Sequence, residues 1–402
     1  MKKNFSIFII TFILGFGIIM LKHYVTHDNQ GVTDKPASAV QESVTPAKPN
    51  PTAPSPIVQK TSSGSETLIG INSSLHWLAR HQSPDGQWDS NGFTGMCKGT
   101  PCTETGVPEY DIGLTGLSLL AFLNNGYTHL SRETYSGIKY GEVIKKGLKW
   151  IIAQQKDGGR IGENGLILNH CLATLALAEA YGMTENQLIK DPAQKAIDFI
   201  VNSRDPAGNW LDTPHHNKSE DILIAFWAIM ALKEGQMACL EVHTSSLETA
   251  LNWIETNAGT SPEDTAILMC CNMLVKRDRS GAFLENGAKL LISSFPTQDA
   301  QSFKKTGTAD YFFWYSGKMA MYYYMSSDNQ GSLKEWEKAY YNVFTSEIND
   351  DETSCLYGSY NSGIDIGSKQ GGRIYATAIT VMTHAIHSIY PHVFSGTKKN
   401  PD

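Results

Sequence analysis

Residues 166–181 read LILNHCLATLALAEAY, and this stretch is apolar nearly all round before it stops at Gly182. A helix without a polar face is buried on all sides. The stretch before it, residues 141–155, instead carries Ile and Leu at helical spacing on one face and three lysines on the other. That pattern is typical of an amphipathic helix on the outside of a protein. The two stretches together predict a helical hairpin with one outer and one buried inner helix.

The same pair recurs along the chain. We expect outer helices at residues 67–81, 141–155, 191–203, 245–257, 285–294 and 332–348. We expect inner helices at residues 111–125, 166–181, 219–234, 263–276, 310–326 and 372–389. Six pairs with a period of roughly fifty residues indicate a repeat array. Because the inner helices are too apolar for an open solenoid, we predict an all-α fold: an α/α toroid of six helical hairpins.

The composition excludes two classes of protein. With 41% hydrophobic residues in 402, the chain is not intrinsically disordered. A net charge of -7 argues against a nucleic-acid partner, which would require a basic surface.

The N-terminus carries an export signal. Lys2 and Lys3 precede an apolar run over residues 5–21, which as a helix would span about 25 Å of a hydrocarbon core of about 30 Å. A cleaved signal peptide would have a similar run, but the first small-residue site, residues 37–39, lies far beyond it. We therefore predict a signal-anchor transmembrane segment over residues 1–27, a membrane partner, and a periplasmic or cell-surface domain. Cleavage would instead give a secreted protein.

The rest of the chain divides by composition. Residues 28–65 are rich in Pro, Ser and Thr, which predicts a semi-rigid tether. Residues 66–392 would form the toroid, and residues 393–402 a polar tail.

Three loops sharpen the fold prediction. They follow the first three outer helices and read HQSPDGQW at residues 81–88, QQKDGG at 154–159 and RDPAGNW at 204–210. A helix closed by Gln, then Asp-Gly and an aromatic residue, resembles the QW repeat of squalene/hopene cyclases and protein prenyltransferase β subunits. The chain is also similar to exported bacterial proteins built from prenyltransferase/squalene-oxidase repeats, through segments such as CKGTPC and GGRIYATAITVMT. The resemblance implies an α/α toroid over residues 66–392.

The resemblance also directs attention to two chemical motifs. Terpenoid cyclases protonate their substrate with Asp-x-Asp-Asp-Thr-Ala, and residues 261–266 read SPEDTA, with Glu263 in the central place and Asp264 after it. A helix N-terminus with a serine cap explains the same residues. Prenyltransferase subunits bind zinc through Asp-x-Cys, and the nearest match here is Asn169-His170-Cys171. Because Asn is a poor zinc ligand, we expect no metal and no cofactor, with His170 and Cys171 in the core.

The toroid would bring polar residues together at one mouth, because its inner helices run parallel. Candidate catalytic residues there are Glu263, Asp264, Asp310 and Arg373, and candidate ligand-binding residues are Asp111, His170, Asp221, Tyr311, Trp314 and Tyr375. Capping accounts for acids at helix starts, but not for a cation such as Arg373. We expect Arg373 to face Asp310 or Asp111 above an apolar cavity.

Two of the seven cysteines bracket a short polar loop. Cys97 and Cys102 flank Lys-Gly-Thr-Pro, and in an exported protein this spacing predicts a disulfide.

Three functions are compatible with these patterns. The first is a membrane-anchored extracytoplasmic protein that binds or transforms an isoprenoid or other apolar ligand in the toroid, as the resemblance implies. The second is a non-catalytic module that binds an envelope protein, and the third is a carbohydrate-active α/α barrel with paired carboxylates. Since neither the cyclase nor the zinc motif is intact, the sequence leaves open whether the protein is an enzyme.

Overall fold

The computed structural model describes residues 64–162, 166–210, 218–278, 280–294, 309–324, 336, 338, 340–341 and 344–389. The helices, in chain order, are α1 Gly64–Arg80, α2 Asp111–Leu123, α3 Tyr140–Ala153, α4 Ile167–Thr184, α5 Gln187–Asn202, α6 Lys218–Met237, α7 Thr244–Asn257, α8 Pro262–Lys276, α9 Ala282–Ser294, α10 Tyr311–Tyr324 and α11 Ile366–Ile389. A small antiparallel hairpin, β1 Thr134–Tyr135 and β2 Ile138–Lys139, precedes α3. Residues 336, 338, 340–341 and 344–347 are also helical and belong to the predicted sixth outer helix.

Six inner helices form a closed ring. Helices α2, α4, α6, α8, α10 and α11 each contact the next, and α11 returns to contact α2. The outer helices pack on this ring, with α1 lying against α11. The predicted ring of inner helices is therefore confirmed.

Small residues let the inner helices approach closely. A side chain at Gly116 of α2 would meet the backbone of Leu172 and Ala173 in α4 at 2.8 Å. Most of α4 is buried, as its uniformly apolar sequence requires. The Thr174 hydroxyl donates a hydrogen bond to the His170 carbonyl (2.7 Å) within the helix. The apolar core thus continues across the joint between the two helices.

The repeat loops fasten each outer helix to the next. Gln82 donates from Nε2 to the carbonyl of Val143 (2.9 Å), and Gln155 does the same to Pro192 (2.9 Å). Gly86 has a φ of 111°, which favours glycine, and its turn lies against the backbone of α3. These contacts account for the Gln and Asp-Gly signature in the sequence.

The last inner helix contains a break. Gly372 has non-helical angles (φ 56°, ψ -143°), so the main helical segment of α11 begins at Arg373. A side chain at Gly372 would collide with the backbone of Glu104 and Thr105. A loop of the first repeat therefore lies directly against the last inner helix.

The predicted anchor, residues 1–27, lies outside the described residues, as do most of the tether and the polar tail. Among the described residues, no helix combines the length and the apolar character needed to cross a membrane.

Candidate functional site

A pocket opens where the inner helices begin. The volume available to the centre of a water molecule is about 30 Å³, and the empty space around it, which includes open solvent, is about 430 Å³. Its walls come from the N-terminal turns of inner helices and from the break in α11, and they include Leu114, Leu117, Leu168, Leu172, Leu223, Trp227, Phe312 and Tyr375. Asn169 and Gln370 supply polar groups to the wall. A mostly apolar pocket with few polar groups is typical of a small-molecule site.

Three carboxylates lie near Tyr375 of the pocket wall, although none of them lines the pocket itself. Glu263 keeps much of its surface in solvent, yet burial, followed by the charges of Asp310, Asp264 and Asp365, raises its pKa to about 7. Burial likewise raises the pKa of Asp310 to about 6 and also raises that of the buried Asp365. Like charges near one another disfavour ionisation, so these carboxyl groups take up a proton at a higher pH than ordinary surface acids do.

Tyr375 connects the carboxylates to the pocket. Its ring lines the pocket, and its hydroxyl is hydrogen-bonded to Asp365. The charges of Asp310 and Glu263 also act on this hydroxyl. A ligand in the pocket would therefore meet the acidic cluster through Tyr375.

Asp111 forms a second acidic point at the start of α2. Its Oδ1 accepts the Ser90 N–H (2.8 Å), and burial raises its pKa to about 6.

The arrangement can perform general acid chemistry. A carboxylic acid whose pKa lies near the working pH combines a large protonated fraction with useful acid strength. Glu263 has this property and Asp310 approaches it. An acid of pKa about 7 is suited to an oxygen atom rather than to an alkene carbon, which requires a far stronger acid.

The predicted partner of Arg373 is wrong. The guanidinium is buried, and it pairs with Glu104 (Nη2 to Oε2, 2.9 Å) rather than with Asp310 or Asp111. It also donates to the Asn361 side chain (2.9 Å) and to Ser359 Oγ (3.0 Å). Arg373 joins the first repeat to the last and does not line the pocket.

Other candidate residues also have structural partners. The imidazole of His170 accepts the Ile161 N–H (3.0 Å) and donates to the Ala196 carbonyl (3.0 Å), as expected of a core histidine, so it is not available to a ligand. Tyr311 and Trp314 are buried outside the pocket wall.

Asp264 and Asp221 complete the candidate set. Asp264 accepts the Gly259 N–H (3.0 Å), and its own N–H donates to Ser261 Oγ (3.0 Å), so the capping interpretation describes it. Asp221, in the first turn of α6, is not part of the pocket wall.

Cys97 and Cys102 are free thiols rather than the predicted disulfide. Both sulfurs face His81, and Cys355 joins them, so that the four potential ligand atoms lie within 4.8 Å of one another. Burial lowers the pKa of His81 to about 4, which keeps its imidazole neutral. These four residues could hold a metal ion, and sequence patterns alone did not bring them together.

Comparisons with known proteins identify the fold. No family model matches the chain, and no curated protein matches it by sequence. Among solved structures it is similar to an α-1,6-mannanase from Salegentibacter sp. HEL1_6, with a TM-score of 0.54, 11% identity, and coverage of 80% of this chain and 98% of the other. It is also similar to the type II terpene cyclase MstE from Scytonema, with a TM-score of 0.52, 12% identity, and coverage of 80% of this chain and 98% of the other. A cellobiose 2-epimerase from Spirochaeta thermophila matches with a TM-score of 0.50, 14% identity, and coverage of 82% of this chain and 100% of the other.

These neighbours are α/α toroid proteins, and the chain shares their fold. At such low identity the likeness concerns the fold alone. The neighbours include both a terpene cyclase and carbohydrate enzymes, so the fold does not select between these activities.

Proposed function

We propose that the protein binds an isoprenoid or other lipid with an oxygen-bearing end, and that Glu263 acts as general acid toward that oxygen. The observation that carries the proposal is the position of Tyr375, which borders an apolar pocket and is hydrogen-bonded to Asp365 of the acidic cluster. The apolar part of the ligand would lie against Leu117, Leu172 and Trp227, with its oxygen toward the acids.

The pocket favours a lipid over a sugar. A sugar presents many hydroxyl groups, and each needs a partner when it is removed from water. Leucine and aromatic side chains dominate the wall, while the amides of Asn169 and Gln370 are already engaged with Glu109 and Tyr110. Burial of apolar ligand surface would contribute roughly 25 cal/mol per Å².

The predicted anchor would suit this function. A toroid tethered through residues 1–27 would lie next to an extracytoplasmic membrane surface, where a lipid ligand is available. Asp310, with a pKa of about 6, would be mostly ionised at pH 7, and its negative charge would stabilise the cation formed when the proton passes from Glu263 to the ligand oxygen.

Photolabelling of the full chain in nanodiscs tests the proposal. A farnesol analogue carrying a diazirine should label peptides of α2, α4 and α6, and free farnesol should compete. Leu168→Trp would fill the pocket and reduce labelling about tenfold or more, the loss of about 1.4 kcal/mol of binding. Leu188→Trp is the matched control, because Leu188 is 82% exposed. Equal labelling of the two variants would refute the pocket as the binding site.

A carbohydrate ligand is the second candidate, because the three clustered carboxylates also fit glycoside chemistry. The same experiment separates the two: protection by mannotriose, with none by farnesol, would favour the carbohydrate function.

A further inference from the structure

A second cluster of chemically active side chains lies away from the pocket. His81 follows α1 directly, Cys97 and Cys102 lie in the loop between α1 and α2, and Cys355 lies in the loop before α11. His81 and Cys355 are 274 positions apart in sequence. The cluster therefore sits at the seam where the first and sixth repeats meet.

The three sulfurs are arranged evenly around one nitrogen. The distances to His81 Nε2 are 3.5 Å from Cys97 Sγ, 3.6 Å from Cys102 Sγ and 3.5 Å from Cys355 Sγ. In a tetrahedral zinc site, with Zn–S about 2.3 Å and Zn–N about 2.0–2.1 Å, the N···S edge is roughly 3.6 Å. The observed distances match this edge for all three sulfurs.

The surroundings of the imidazole favour coordination. His81 Nδ1 donates its proton to the Trp77 carbonyl at 2.8 Å, which leaves the lone pair of Nε2 directed at the sulfurs. Metal-bound histidines nearly always have such a carbonyl or carboxylate partner on the second nitrogen. The Trp77 ring also stacks on the imidazole, with centroids 4.1 Å apart, and fixes its orientation.

Hydrogen-bond donors and a cation lie beside two of the sulfurs. The Cys102 N–H donates to Cys97 Sγ at 3.2 Å. The guanidinium of Arg80 lies 3.8 Å from Cys355 Sγ and donates to the Cys355 carbonyl (3.3 Å). Three thiolates and one zinc ion carry a net charge of −1, and Arg80 would offset it.

We propose that His81, Cys97, Cys102 and Cys355 bind one zinc ion that closes the ring of repeats. Four protein ligands leave no open position, which is typical of a structural rather than a catalytic zinc site. Because metal binding is coupled to folding, the ion would stabilise the seam between the first and last repeats.

A disulfide between Cys97 and Cys102 is the competing arrangement. Its S–S bond of about 2.05 Å would draw two sulfurs together. Such a bond would take up two of the sulfurs and would give no reason for His81 and Cys355 to lie beside them. In the structure all three sulfurs are nearly equally close to the imidazole.

Metal analysis of the purified full chain tests the proposal. Protein isolated in detergent without chelators should contain one zinc per chain by mass spectrometry of the metal. Replacement with cobalt should give the visible bands of tetrahedral Co²⁺ and a thiolate charge-transfer band. Cys355→Ser should lose the zinc, while Cys239→Ser, at an exposed cysteine outside the cluster, should retain it.

The wild-type chain provides a measurement that does not depend on how a variant folds. EDTA should remove the zinc, lower the melting temperature and make the three cysteines reactive to alkylation, and added zinc should reverse all three effects. Zinc-free protein with a Cys97–Cys102 disulfide in peptide mapping without reductant would overturn the proposal, as would iron in place of zinc.

Discussion

The joints between neighbouring repeats differ from the seam between the first and the last. The polar contacts of an ordinary joint are hydrogen bonds, such as that from Gln82 to the Val143 carbonyl, 61 positions away. The seam adds the buried Arg373–Glu104 ion pair, 269 positions apart, and the cluster of His81 with three cysteines. Among the described residues, an ion pair with a buried partner and a cluster of potential metal ligands thus lie where the ring closes.

Loop-closure entropy gives a reason for the difference. The cost of joining two points rises with (3/2)RT ln n, so a separation of 274 rather than 61 positions adds roughly 1.3 kcal/mol. That increment is small compared with a buried ion pair or a zinc ion. The comparison indicates that the seam is reinforced against opening, beyond the entropy of closure alone.

The largest expected effect is that of Arg373→Leu. The change leaves Glu104, Asn361 and Ser359 without their donor, and breaking a buried ion pair costs about 3–5 kcal/mol. We expect a loss of stability near the lower end of this range, because the Glu104 side chain is 35% exposed. Urea unfolding measures the loss. Lys145→Leu is the control, since the Lys145–Glu142 pair is exposed and worth under about 0.5 kcal/mol; equal losses would show that the seam has no special weight.

The sequence predicted the ring better than it predicted the seam. Helical periodicity and the loops at residues 81–88 and 154–159 depend on residues near one another in the chain, and they indicated the hairpins correctly. The partners at the seam are far apart: Glu104 with Arg373, and His81 with Cys355. Local spacing alone suggested a Cys97–Cys102 disulfide, because nothing near these residues points to Cys355.

At the mouth of the ring, where the inner helices begin, the sequence also predicted some residues and missed others. Acids at helix starts, including Glu263 and Asp310, could be identified by counting inner helices. Asp365 was missed because it lies on a turn ahead of the predicted helix. The sequence feature that could have indicated it is the Asp–Ser spacing of a helix cap, since the Ser368 hydroxyl donates to Asp365 (2.8 Å). The structure excluded Tyr311 and Trp314 from the pocket, because helical rotation, which sequence gives only approximately, directs them into the surrounding core.

Glycine substitutions in two loops compare how tightly the chain packs at the seam and at an ordinary joint. Gly358 and Gly159 both have positive φ, and an added Cβ would collide with the carbonyls of Ser73 and Lys195 respectively. Each change to Ala should cost about 1–3 kcal/mol more than Gly126→Ala. Gly126 has a similar φ of 82° but open space around it.

Zinc content then separates the two joints. Gly358→Ala shifts the loop that carries Cys355, so zinc per chain should fall, whereas Gly159→Ala should keep a full equivalent. The comparison fails if Gly159→Ala loses zinc as readily, or if Gly358→Ala is no worse than Gly126→Ala in urea unfolding.

The smallest expected effect concerns an ordinary joint at the far ends of the inner helices. Glu179 accepts a hydrogen bond from Asn124 Nδ2 (2.7 Å), and burial, followed by the charge of Glu234, raises its pKa well above the usual value. Burial also raises the pKa of Glu234 from 4.5 to about 7. The folded chain therefore holds protons that the unfolded chain releases. This contribution to stability is complete below about pH 4.5 and is lost as the pH rises through 7.

Glu234→Gln should remove the part of that loss that comes from Glu234, while the buried Glu179 keeps its own part. Stability at pH 4.5 should stay nearly unchanged, while stability at pH 8 should rise by an amount on the order of 1 kcal/mol, a value reduced for the partial exposure of Glu234. Urea unfolding between pH 4.5 and 8 measures the slope, with the exposed Glu142→Gln as a control that should leave it unchanged. Because this joint lies apart from the seam, the variant should also keep its zinc. A slope identical to that of the unmodified chain would show that the pKa of Glu234 is not raised in the folded ring.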